Sequence, residues 1–76
     1  LTITNNTSED IYVSVTATGS DFQKGGSEDW YTLKAGKSDT WGSRGSWQVI
    51  RFTRSQTPGV LVETILGKSG SSVNIY

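Results

Sequence analysis

Short stretches in which apolar and polar residues alternate constrain this chain more than any other feature. Leu1 to Thr4 alternates in this way, and Ile11 to Thr18 places four small or branched apolar residues on one face: Ile11, Val13, Val15 and Ala17. A period of two residues is the signature of a half-buried β-strand. The segment between them, Asn5 to Asp10, consists of residues whose side chains bond to their own backbone in turns. We therefore expect these two strands to form a hairpin.

The rest of the chain repeats this arrangement of short strands and turns, and no segment shows the 3.6-residue period of a helix. The further strands are predicted at residues 29–33, 38–41, 47–53, 60–66 and 73–76. Gly36 and the pair Pro58-Gly59 mark tight turns, while Gly19 to Glu28 is expected to be a polar loop. Residues 1–76 are thus predicted to form a single all-β domain, a small antiparallel β-sandwich or barrel of about six or seven strands.

A chain of 76 residues has a small core, because it buries only roughly 60% of the surface that it exposes when unfolded. Domains of this size usually add disulfides, a metal ion or a partner subunit. The chain has no cysteine and no histidine, so we expect neither disulfides nor a metal site or cofactor, and we expect a homo-oligomer instead. The predicted interior consists of Ile3, Val13, Val15, Leu33, Ile50, Phe52, Leu61 and Val73.

The charges and the reactive side chains argue against several classes of function. Seven basic and seven acidic residues cancel, so no long-range field attracts nucleic acid. The serines lack the histidine base that usually activates a nucleophile. Most of the carboxylates fall in turns, and Glu63, the exception, is expected to face solvent. We expect a protein that is not an enzyme, and the compartment, extracellular or cytoplasmic, stays open.

The stretch from Trp41 to Trp47, Trp41-Gly42-Ser43-Arg44-Gly45-Ser46-Trp47, is predicted to be a tight crossing between two strands. Together with Trp30 it supplies more indole rings than so thin an interior can absorb, so at least one ring should be exposed. An exposed indole offers a flat apolar face on which the C–H patches of a sugar can stack. Polar side chains that could bond to sugar hydroxyls lie close by in the sequence. The predicted ligand-binding residues are Trp30, Asp39, Trp41, Ser43, Arg44 and Trp47.

The same aromatic residues are compatible with two other functions. Trp30, Tyr31 and Trp41 could lie at a membrane interface and recognise a lipid head group, since indole and phenol rings favour that zone. Alternatively, the tryptophans could seal an interface with another protein in a structural or inhibitor role. A lectin that recognises a neutral glycan or glycoconjugate is the preferred hypothesis, because a neutral chain suits a neutral ligand.

Four segments of the chain also resemble a known group of proteins. These segments are Asn5-x-Thr7, Ile11-x-Val13-x-Val15, Trp30-Tyr31-x-Leu33-x-x-Gly36 and Trp41-Gly42-x-Arg44. The pattern resembles the small cysteine-free β-sandwich proteins of mushroom-forming fungi, which include compact fruiting-body lectins and, more remotely, the aegerolysin-type lipid-binding proteins. The resemblance implies a β-sandwich that binds glycans or lipid head groups as a dimer or larger assembly.

Overall fold

The structure, a computed structural model that describes all of residues 1–76, contains seven strands and one short helix. The predicted all-β fold is therefore confirmed. The elements in chain order are β1 (Thr2–Asn5), β2 (Ile11–Val15), α1 (Ser20–Gln23), β3 (Tyr31–Leu33), β4 (Ser38–Thr40), β5 (Trp47–Thr53), β6 (Glu63–Lys68) and β7 (Ser72–Ile75).

The strands form a three-stranded sheet of order β4-β1-β7 and a four-stranded sheet of order β3-β2-β5-β6. All neighbours are antiparallel except β1 and β7, which run parallel with Thr2 opposite Ser72. Short turns link β3 to β4 and β6 to β7, and each of these four strands is the edge of its sheet. The sandwich thus has a β3–β4 side and a β6–β7 side.

The core fills the space between the two sheets. Its buried apolar residues are Leu1, Ile3, Ile11, Val13, Val15, Leu33, Trp41, Ile50, Phe52 and Ile75. Most of the predicted interior is confirmed, including the alternating face of β2. The prediction that Leu61 is buried is wrong, since this residue is 76% exposed. Val73 is only partly buried against the core. Leu61 lies before β6 begins, so no sheet directs its side chain inward.

The predicted hairpin between β1 and β2 is wrong, because the two strands belong to different sheets. The turn residues between them form a crossing organised by Asn5, which is completely buried. Its Nδ2 donates to the carbonyls of Glu9 and Leu33 at 2.8 and 2.9 Å, and its Oδ1 accepts from the backbone N–H and the hydroxyl of Thr7. The bond to Leu33 ties the end of β1 to a strand of the other sheet, an arrangement that turn chemistry alone does not distinguish from a hairpin.

Several boundaries also differ from the prediction. The segment expected to be a loop, Gly19 to Glu28, contains α1, whose single turn is too short to produce a periodic pattern. Strand β6 begins at Glu63 instead of residue 60 and extends to Lys68. The turns at Gly36 and Gly59 are confirmed by φ values of +73° and +85°. At the second turn, the Val60 N–H donates to the Thr57 carbonyl, as in a turn with proline and glycine at its centre.

Candidate functional site

The Trp41–Trp47 stretch connects two strands, β4 and β5, as the sequence predicted, and the structure shows that it passes from one sheet to the other. Arg44 organises this crossing from a buried position. Its Nε donates to the Thr16 carbonyl, Nη1 to that of Gly42, and Nη2 to those of Val15 and Ser27, at distances of 2.6 to 3.2 Å. Four backbone acceptors from three parts of the chain therefore meet on one guanidinium group.

Asp21 supports the same crossing from the other side. Its carboxylate is buried and accepts hydrogen bonds from the Thr18 and Gly45 backbone N–H groups and from the Gln48 amide. A buried charge is tolerated only when its hydrogen bonds are satisfied. Arg44 meets this condition through backbone carbonyls, and Asp21 through two backbone N–H groups and the Gln48 amide, without an ion pair between the two residues.

Beside this framework lies a small cavity, which we call the edge cleft, on the β3–β4 side of the sandwich. Its volume is about 260 Å³. Pockets for drug-sized ligands usually have volumes of roughly 300–1,000 Å³, so the edge cleft suits a smaller ligand. It is lined by Gly25, Ser27, Tyr31, Asp39, Thr40, Trp41, Gly42, Ser43 and Arg44.

The edge cleft combines an aromatic wall with a carboxylate. The Tyr31 side chain is 45% exposed, and its ring meets the Trp41 ring edge-on, with centroids 6.5 Å apart and planes at 70°. Asp39 is exposed and its Oδ1 accepts from the Thr40 backbone N–H, while its other oxygen has no partner within the chain. This geometry supplies an apolar ring and a hydrogen-bond acceptor to one small ligand.

Ser43 fixes the rim of the edge cleft. Its φ of +59° is uncommon for a residue other than glycine. The hydroxyl donates to the Lys24 carbonyl at 2.7 Å, which joins the crossing to the segment after α1. Gly26, in the same segment, has no room for a side chain, because an added Cβ would lie 2.8 Å from Arg44 Nη1 and 2.7 Å from the Asp21 carbonyl oxygen.

The edge cleft brings together four of the six predicted ligand-binding residues, namely Asp39, Trp41, Ser43 and Arg44. Trp41 is only 7% exposed and belongs to the core, so it braces Tyr31 rather than offering its own face. The Arg44 donors are occupied by backbone carbonyls, so this residue shapes the edge cleft and leaves ligand contact to its neighbours. Tyr31 was not among the predicted ligand-binding residues. The signal that could have identified it is its spacing of two residues from Leu33, which places both side chains on the inner face of β3.

Trp30 and Trp47 lie away from the edge cleft, and both are exposed, at 47% and 59%. The expected excess of indole rings over interior space is therefore confirmed. The Arg51 guanidinium lies 5.7 Å from the centre of the Trp30 ring. The Lys68 ammonium lies 5.9 Å from the centre of the Trp47 ring. Trp30 also borders a shallow groove of about 370 Å³, which we call the outer groove, together with Tyr12, Thr53, Ser55, Gln56 and Val60.

No three histidine, cysteine, aspartate or glutamate side chains come close enough together to hold a metal ion. The one helix is a single turn, and nothing in the structure is a helix that could cross a membrane. Comparison with known protein families, curated proteins and solved structures found no match.

Proposed function

We propose that this protein is a non-catalytic carbohydrate-binding protein and that the edge cleft binds one ring of a neutral glycan. The observation that carries the proposal is the pairing of the exposed Tyr31 ring with the Asp39 carboxylate in one small cavity. A sugar ring has an apolar face of C–H groups and a rim of hydroxyl donors. It therefore needs an aromatic surface and a hydrogen-bond acceptor at the same place.

The charges around the edge cleft favour a neutral ligand. Asp39 is its one acidic side chain, and the positive charge of Arg44 is directed to four backbone carbonyls. An anionic sugar would be repelled by Asp39 without meeting a cation that is free to pair with it. A neutral hydroxyl, in contrast, can donate to the unpartnered Asp39 oxygen.

A glycan array probed with the wild-type protein and matched single variants tests this proposal. Tyr31→Ala and Asp39→Asn should each abolish the signal on the glycans that the wild-type protein binds. Trp30→Ala is the matched control, because Trp30 is the neighbouring residue but borders the outer groove instead of the edge cleft. It should leave the signal unchanged.

The opposite pattern of results would overturn the proposal. Loss of binding in Trp30→Ala with full binding in Tyr31→Ala would move the ligand to the outer groove. No signal on any glycan, with a protein whose fold is confirmed by circular dichroism, would count against carbohydrate binding altogether.

A lipid head group is the rival ligand. Two of the three aromatic residues expected at a membrane interface, Trp30 and Tyr31, are exposed, and the third, Trp41, is buried. Sedimentation with liposomes of mixed neutral and anionic lipids distinguishes the two ligands. The carbohydrate proposal predicts that the protein stays in the supernatant when the liposomes carry no glycolipid. Pelleting with such liposomes that free sugars do not reverse would favour the lipid.

A further inference from the structure

Strand β6 differs from the other three edge strands of the sandwich in its length. It has six residues, whereas β3 and β4 have three each and β7 has four. Proteins usually protect sheet edges by keeping them short or by placing proline and inward-pointing charges on them. Strand β6 contains no proline, and its two charged residues, Glu63 and Lys68, stand at its ends.

The outer edge of β6 carries backbone groups without partners. The Ser69 N–H donates to the carbonyl of Ser46, the residue directly opposite it in the β5–β6 register. Hydrogen-bonded pairs alternate along an antiparallel ladder, so Glu63, Ile65 and Gly67 bond to β5. Thr64 and Leu66 then point their N–H and C=O groups away from β5, and neither residue has another backbone partner in the chain. The next residue of β6 whose backbone groups point outward is Lys68, and its N–H and C=O groups already bond to Ser71.

The side chains around this edge are also incompletely covered. Leu66 is 63% exposed, and Leu61 and Val62 are exposed just before the strand begins. Ile65, on the inner face, and Val73 of β7 are only partly buried against the core. The core is thus less well closed on the β6–β7 side than elsewhere in the sandwich.

We propose that a second copy of this chain pairs with β6 in antiparallel orientation, so that two four-stranded sheets join into one continuous sheet. With Ile65 opposite Ile65 of the second copy, Thr64 faces Leu66 of that copy, and each such pair exchanges two hydrogen bonds. All the unpartnered backbone groups of Thr64 and Leu66 are then satisfied. The two Ile65 side chains meet on the inner face, where the core is least covered.

The edge is complementary to itself, which is why a second copy is the occupant. The two residues with outward backbone groups, Thr64 and Leu66, lie symmetrically about Ile65, so the donors and acceptors of one copy face the acceptors and donors of the other. The pairing is isologous and closed, and it leaves only the three- and four-residue edges exposed. Because β3 lies at the far side of the same sheet, the two edge clefts would be about 34 Å apart, from seven strand spacings before twist.

Sedimentation velocity over a range of protein concentrations tests this proposal. The wild-type protein should sediment with twice the 8.3 kDa mass of one chain. Thr64→Pro should weaken the dimer roughly 10- to 100-fold, because it removes an outward N–H from each copy while the bonds of β6 to β5 are kept. Near-UV circular dichroism should show an unchanged fold. Leu66→Lys, which places a charge at the same edge without changing the backbone, should weaken the dimer as well.

Val49→Lys is the matched control for Leu66→Lys. Val49 lies opposite Leu66 on the same sheet face, but it belongs to the interior strand β5. This variant should remain dimeric. A wild-type protein that is monomeric at every concentration would overturn the proposal. Dissociation in Val49→Lys but not in Thr64→Pro would overturn it too, since the copies would then pack through their sheet faces. Neither result depends on whether the edge cleft binds a sugar.

Discussion

Replacement of Arg44 by lysine tests whether the crossing between β4 and β5 is held by one guanidinium group. Arginine reaches four carbonyls here because its donors project in a planar fork. A lysine ammonium is a compact group at the end of a flexible chain and can satisfy about two of these four acceptors. The variant should therefore leave about two carbonyls in a buried region without a donor.

The expected loss follows from these bonds. A hydrogen bond to a charged group contributes about 1.5–3 kcal/mol, so the loss of two should lower the free energy of unfolding by about 3–6 kcal/mol. A domain of this length is stable by only about 4–11 kcal/mol in total. Arg44→Lys should therefore lose most of its stability, and Arg44→Ala, which leaves all four buried carbonyls without this donor, should not fold.

Urea unfolding followed by tryptophan fluorescence measures this loss as a lower midpoint with a similar slope. Arg54→Lys is the matched control, because Arg54 is exposed and forms a surface ion pair with Glu63 at 2.7 Å. It should cost no more than about 1 kcal/mol. If Arg44→Lys unfolds within about 0.5 kcal/mol of the wild-type protein, the four bonds do not hold the crossing and the reasoning fails.

Two further predictions concern stability and use the same urea assay. Asn5→Asp should lower the free energy of unfolding by about 3 kcal/mol at neutral pH, because a carboxylate oxygen would replace the buried Nδ2 that donates to Glu9 and Leu33. Stability equal to that of the wild-type protein would contradict the role of Asn5 in the crossing between β1 and β2. Trp41→Ala should cost about 3–5 kcal/mol as a core truncation, whereas Trp47→Ala, at an exposed position, should cost less than about 1 kcal/mol. Equal losses in the two variants would mean that their burial is misassigned.

Alternation predicted the strands and most of the core because it reports directly which side chains can face inward. It did not predict which strands pair, since Asn5 can serve a hairpin turn or a crossing between sheets with the same side-chain bonds. Only its bond to the distant Leu33 decides between the two, and that bond depends on the tertiary fold.

Only part of the candidate site could be predicted, because the rest depends on contacts between segments that are remote in the sequence. The position of Asp39 and Ser43 beside the crossing follows from the chain order. The burial of Arg44 does not, because its carbonyl partners at Val15, Thr16 and Ser27 come from segments remote in the sequence. A charged residue in a glycine- and serine-rich stretch is normally solvated, and here the backbone of other segments replaces the solvent.

The most direct test of carbohydrate binding is a titration of the isotope-labelled protein with a glycan selected on the array, followed by amide and indole N–H chemical shifts. Binding in the edge cleft predicts that the largest shifts fall on the backbone amides of Gly25, Asp39 and Gly42, while the indole signals of Trp30 and Trp47 stay in place. Shifts concentrated on the Trp30 or Trp47 indole, or no shifts at saturating glycan, would contradict the proposed site.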